Sequence, residues 1–230
     1  MAEYRVMTPG SKDFLSLDPQ SAAEAVLQLH SRGSFMVIPT DTVYGMAALV
    51  DDEEAVLRIF KAKRRPADMN LPVLIRSIDQ ISWAIPDADV EVLQLLAERY
   101  WPGPLTVVVN CDDALSDAIG PADGSVGVRC PDDEFLLELL ELVGPLATTS
   151  ANLHGLPSVT SAEDLAFQFT GLDWAHGSPA LQSAGLSLVV ESTVQSSGIS
   201  STVVDISGVE PKVLRIGSIS EQDIRESLLL

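Results

Sequence analysis

The chain has 230 residues, 46% of them hydrophobic and 20% charged, with a mean hydropathy of +0.22, which excludes a disordered polymer and fits one domain or two small ones. Its 33 acids and 14 bases give a net charge of −19, which argues against broad, sequence-independent binding to nucleic acid. No apolar run reaches the roughly 20 residues that span a bilayer, and the N-terminus lacks the apolar stretch of a secretory leader, so a soluble, cytoplasmic chain is expected.

In chain order, Asp18 and Pro19 open a predicted helix that runs to Ser31 and is closed by Gly33. Residues 35–38 read as a buried strand. Residues 52–62 form a helix with Ala55, Val56, Ile59 and Phe60 on one face. A short strand at 72–75 precedes a helix at 90–100, which turns Leu93, Leu96 and Tyr100 inward. Strands follow at 105–109 and 126–129, then a helix at 133–142 and a strand near 146–148. The last predicted elements are a helix at 162–169, strands at 186–190, 202–206 and 213–215, and a helix at 221–229 opened by Ser218 or Ser220. Strands and helices interleave without strict alternation, so an α/β architecture on a mixed sheet is expected. Residues 171–185 and 196–201 read as loops too short for domain linkers, which leaves one domain.

Four segments beside strand ends hold the chemistry-bearing residues. The first, 39–45, is PTDTVYG: two threonines, an acid, an aromatic and a glycine at the carboxyl end of a strand, where α/β sheets place ligands. The second is Lys63-Arg64-Arg65-Pro66, part of a cluster of five bases within eight residues. It is either a solvated helix end, where cations complement the dipole, or a clamp for phosphate oxygens. The third is VGVRCP at 126–131. An arginine inside an apolar strand is costly to bury unpaired, so Arg129 needs a carboxylate of the protein or an anionic ligand. Because no Lys or Arg follows between 130 and 211, the ligand is favoured. The fourth, TTSANLHGLPSVT at 148–160, is a loop of small hydroxyl residues suited to close approach by a nucleotide. Cys111 and Cys130 are too few and too far apart for a disulfide scaffold or a metal cage, and His30, His154 and His176 show no metal-binding spacing. There is no GxxxxGK[ST] loop, no GxGxxG fingerprint and no GxSxG elbow.

With WPGPLT (101–106), SSTVVD (200–205) and LRIG (214–217), these segments occur in the order seen in the YrdC/TsaC family, the threonylcarbamoyl-AMP synthases, which the chain resembles over about residues 35–217. The resemblance implies a YrdC-like twisted open mixed sheet with flanking helices and a deep concave cavity. It implies one YrdC-like domain over 1–230, with the motif-bearing part at about 19–217, and the short form of the family without a further C-terminal domain. It also implies a nucleotidyltransferase. L-threonine, bicarbonate and ATP, with Mg2+, give L-threonylcarbamoyladenylate and pyrophosphate, the first step of the t6A modification of tRNA. The product passes to a threonylcarbamoyl-transferase complex. Neither membrane association nor direct RNA binding is expected.

Carried over residue by residue, the resemblance places Lys63 and Arg65 on the ATP phosphates as the catalytic pair. It places Thr42, Arg129, Thr148 and Ser201 around threonine, with Arg129 on the carboxylate. Ser125, Ser150, Asn152, Ser158 and Arg215 fall around ATP. The chain departs from the pattern at Leu74, where many relatives carry a histidine that contacts threonine, and at His154, where serine is common. The expected geometry has Lys63, Arg65, Arg129 and Arg215 converging inside while the acids cover the outside. The alternatives are a YrdC-like carbamoyl-adenylating enzyme with a different acceptor, and a non-catalytic RNA-binding module.

Overall fold

A computed structural model describes residues 4–7, 15–16, 18–30, 32–63, 70–120, 124–153, 155–161, 164, 168, 184–192 and 196–228. The strands are β1 (Tyr4–Met7), β2 (Leu15–Ser16), β3 (Phe35–Ile38), β4 (Gly45–Leu49), β5 (Val73–Leu74), β6 (Leu105–Asn110), β7 (Ser125–Arg129), β8 (Leu146–Ser150), β9 (Leu186–Ser192), β10 (Thr202–Asp205) and β11 (Lys212–Arg215). The helices are α1 (Pro19–His30), α2 (Glu53–Lys63), α3 (Asp87–Tyr100), α4 (Asp113–Ile119), α5 (Glu134–Val143) and α6 (Glu221–Ser227). Among the described residues, no helix is long and apolar enough to cross a membrane.

All eleven strands join one sheet in the order β11-β10-β6-β7-β5-β8-β4-β3-β9-β1-β2. The sheet is mixed, as expected: β10 runs parallel to β6, β5 to β7 and β3 to β9, while the other neighbours are antiparallel. Alternate residues of each strand face opposite sides. Phe35 and Val37 pack into one apolar layer with Ala55, Val56, Ile59 and Phe60 of α2, Leu93 and Leu96 of α3, Leu115 of α4 and Ile224 of α6. Met36 and Ile38 pack into the other, with Ala22, Val26 and Leu29 of α1 and Phe135, Leu136 and Leu139 of α5.

The second layer takes in no residue of β6, β7 or β10, whose Val107, Val128 and Val204 belong to the first. The opposite face of these strands carries Thr106, Ser125, Gly127 and Arg129 together with Val108 and Val203. This half-covered sheet is what makes room for a site.

Side chains close the helix starts. Asp18 accepts from Ser21 N ahead of α1, Asp52 from Ala55 N, Asp112 from Leu115 N, and Ser220, one of the two serines considered for the role, from Asp223 N. Asp52 has a second consequence: its Oδ2 is buried without a hydrogen-bond partner, 3.6 Å from Nδ1 of His30 at the end of α1.

Asp133 caps α5 through Leu136 N and accepts a 2.9 Å bond from the hydroxyl of Tyr4, whose ring stacks on Phe135. Burial pushes the Asp133 carboxyl above its usual range, and the two donors only partly offset it. A group whose folded-state pKa is raised contributes stability that is complete below the ordinary aspartate range and is lost as pH rises through the folded value. Asp133→Asn keeps the Oδ1 acceptor for Leu136 N, turns an NH2 donor toward the Tyr4 hydroxyl, which can accept in its place, and never ionises. Urea midpoints measured from acid to neutral pH should therefore show the variant gaining on the parent as pH rises. A constant gap would mean that Asp133 titrates as a solvated carboxyl.

The structure has elements that the sequence pattern does not announce: β1, β2, β4 and α4. The predicted helix at 162–169 and the loop at 171–185 lie largely outside the described residues.

Candidate active site

Arg129 ends β7 and is almost fully buried. Its Nη2 lies 2.6 Å from both carboxylate oxygens of Asp41, its Nη1 donates to Thr42 Oγ1 at 2.7 Å, and its Nε donates to the Gly103 carbonyl at 3.0 Å. Burial pulls the guanidinium below its ordinary pKa; Asp41 opposes that pull and the nearby charge of Arg215 adds to it. Of the two partners weighed for Arg129, the structure supplies the protein carboxylate. Leu74 stands beside Arg129 in the β5–β7 pairing and is buried in the apolar layer of α1 and α5.

Arg215, at the end of β11, is exposed, and partial burial of its guanidinium still pulls its pKa down. Its Nε donates to the Ser201 carbonyl at 2.9 Å and its Nη2 to Ser201 Oγ at 3.1 Å. The Ser201 hydroxyl also meets Thr106 Oγ1 at 2.8 Å. Gly217 makes this packing possible: a Cβ there would fall 2.1 Å from the Ser200 carbonyl oxygen. Two guanidiniums, Arg129 buried and Arg215 exposed, thus share one face, and Arg129 is paired with Asp41.

Lys63, the last residue of α2, is buried. Its ammonium donates to the Ser150 and Asn152 carbonyls and, at 3.3 Å, to Asn152 Oδ1. The Ser150 hydroxyl bonds the same Oδ1, and Asn152 Nδ2 holds the Leu153 and Leu156 carbonyls. Lysine and the SAN loop thus form one unit. The sheet positions this unit by ending β8 where α2 ends.

Three loops are stitched together around Asp41. Tyr44 N donates to the Val159 carbonyl, Ala151 N to the Tyr44 carbonyl, Ser197 N to the Asp41 carbonyl and Gly198 N to the Thr42 carbonyl. Ser196 Oγ adds a bond to the Thr40 carbonyl, and Thr40 Oγ1 meets Thr42 Oγ1 at 3.0 Å.

The structure therefore brings Thr42 to Arg129, Ser201 to Arg215, and Ser150 and Asn152 to Lys63. Ser158 adjoins Val159, which the PTDTVYG loop grips. Ser125 shares the face of Arg129 at the far end of β7, where its carbonyl accepts from Asn70 Nδ2. Thr148 is buried and turns its hydroxyl to the Leu146 carbonyl of its own strand. Arg65 and His154 lie outside the described residues. Asp41, Gly103 and Thr106 were not singled out by the sequence reading. The signal for Asp41 was present, an acid between two threonines at a strand end in a chain whose strand arginine needs a partner.

A family model for Sua5, YciO and YrdC, described as "Telomere recombination", matches residues 28–217. The chain belongs to the Sua5/YciO/YrdC family. This Sua5/YciO/YrdC chain is 36% identical over 195 residues to the threonylcarbamoyl-AMP synthase of Pyrococcus abyssi, covering 84% of its own length and 53% of that protein's. It is 33% identical over 226 residues to a Mycobacterium tuberculosis protein provisionally named a threonylcarbamoyl-AMP synthase, and covers 95% of each. Its fold matches the crystal structure of P. abyssi Sua5 complexed with L-threonine at a TM-score of 0.74 and 32% identity, covering 92% of this chain and 58% of that one. It thus spans a little over half of the P. abyssi protein, and nearly the whole of the mycobacterial one.

Proposed function

We propose that this chain is an L-threonylcarbamoyladenylate synthase, a nucleotidyltransferase that joins L-threonine, bicarbonate and ATP and releases pyrophosphate. The observation that carries the reading is the pair Arg129 and Arg215 on one polar face with Asp41 as counter-charge, an anion site ringed by small hydroxyl residues. The names of the relatives and the threonine-bound P. abyssi Sua5 structure support the choice of substrates.

In this reading Arg129 takes the threonine carboxylate, with Thr42, Thr148 and Ser201 around the amino acid. ATP enters as its Mg2+ complex beside Lys63, Arg65, Ser125, Ser150, Asn152, Ser158 and Arg215. The unprotonated amine attacks bicarbonate, and water leaves to give a carbamate. A carbamate oxygen then attacks the α-phosphate, the α–β bridging bond breaks and pyrophosphate departs. Nothing in this sequence needs a covalent enzyme intermediate. The protein positions the reactants and sets cations where phosphate charge develops. In this reading the adenylate passes to a transferase that acts on tRNA, and the chain works in the cytoplasm.

Pyrophosphate release with MgATP, measured with and without L-threonine and with and without bicarbonate, tests this. Release should require both. Release without threonine would indicate a different acceptor, and no release under any condition would remove the synthase reading.

A further inference from the structure

Asp41 has no assigned task, yet it holds the residue on which the amino acid is placed. Arg129 offers five N–H donors in a fixed fork, and a carboxylate grips it best through two parallel bonds. Here Nε serves the Gly103 carbonyl, whose residue is fixed in turn by its own N–H on the Cys130 carbonyl. Nη1 serves Thr42, which is buried and braced by Thr40. Nη2 serves both oxygens of Asp41. Of these three acceptors, Asp41 is the most exposed, with 16% of its side chain accessible, and it alone carries charge. An incoming carboxylate therefore gains Nη2 most readily by turning Asp41 aside.

A displaced Asp41 carboxylate would be left in a place that is poor in water, with the carboxyl of Asp133 near enough to interact unfavourably with it. It needs a new cation within the reach of one side-chain rotation. An α-amino acid brings one: its ammonium sits on the carbon next to its carboxylate. The geometry points to Asp41 as the residue that recognises the substrate's α-ammonium, holding Arg129 while the site is empty and exchanging it for the ammonium when the substrate carboxylate takes its place. The inference rests on the reading of threonine as substrate. It makes Asp41 a specificity-determining residue, which separates α-amino acids from other carboxylates of the same shape. Lys63, tied to the SAN loop carbonyls, and Arg215, tied to Ser201, cannot perform this discrimination, because both would repel the ammonium.

The test is calorimetric titration of the intact chain with L-threonine and with 2,3-dihydroxybutanoate of matching stereochemistry, in which a hydroxyl replaces the ammonium. The parent should prefer threonine by about 30-fold or more, the order expected for one partly buried charge pair. Asp41→Asn should lose most of that preference from both sides. Threonine weakens, and the hydroxy acid binds several-fold tighter because its competitor for Arg129 is gone. Asp41→Glu keeps the charge and should keep a preference for threonine, which covers the case in which the asparagine variant does not fold. If the parent binds neither ligand, the threonine reading falls and this inference falls with it. If the parent binds threonine but does not prefer it, or if Asp41→Asn weakens both ligands equally, the threonine reading stands and the role of Asp41 is overturned.

Discussion

Arg129→Ala should lower stability by about 3–5 kcal/mol, the cost of breaking a buried ion pair and leaving one charge behind. The substitution takes the donor from three acceptors at once, the Asp41 carboxylate, the Gly103 carbonyl and Thr42 Oγ1, of which Thr42 Oγ1 keeps its bond to Thr40. Urea denaturation measures the loss, and one below about 1 kcal/mol would mean that water already screens the pair. Under the proposed function, threonine affinity should also fall by about 2–5 kcal/mol while the KM for ATP moves little. Equal losses for both substrates would remove Arg129 from the carboxylate. Asp41→Asn in the Arg129→Ala background removes the stranded charge and should recover part of the stability, a coupling that a double-mutant cycle reads directly.

Lys63→Met is expected to have the next largest effect, and on a different quantity. Methionine keeps an unbranched apolar side chain in the space of the lysine stem but gives the Ser150 and Asn152 carbonyls no donor. Stability should fall by about 1–3 kcal/mol for the unsatisfied oxygens. Under the proposed function, turnover should fall further, by about 10²–10³-fold, because a cation beside the developing phosphate charge would be lost together with the order of the SAN loop. The KM for threonine should hardly change. Pyrophosphate release at saturating substrates separates the two effects, and an unaltered kcat would confine Lys63 to a structural part.

The strands and helices built from continuous apolar runs were legible before the structure was known. FMVI of β3 and the Ala55, Val56, Ile59, Phe60 face of α2 lie where pattern and period place them. β4 was invisible because GMAAL holds no β-branched residue. It is a strand because it is buried between β3 and β8 and must be small: a Cβ on Gly45 would come within 2.8 Å of the Thr148 methyl. β1 and β2 depend on pairing that no local pattern encodes, since β1 lies against β9. α4 is only seven residues long, too short for its period to stand out. At the site, Arg129 was legible because a charge inside an apolar strand demands a partner. The identity of that partner was not, because Asp41 lies 88 residues away. Lys63 posed the same difficulty. Its ammonium was expected in solvent or on phosphate, and it rests on carbonyls of the loop after β8.

The stitching of the 39–44 loop to the 151–159 and 196–198 segments bears on how fast the site can respond. Main-chain bonds on Asp41, Thr42 and Tyr44 clamp that backbone at three of four consecutive residues from two sides. Swinging it as a lid would break all of them together. The exchange of partners proposed for Arg129 then falls to side-chain torsions of Asp41 rather than to a loop excursion. Under the proposed function, substrate would meet a backbone already in place, and any slow movement in a catalytic cycle would lie outside this segment.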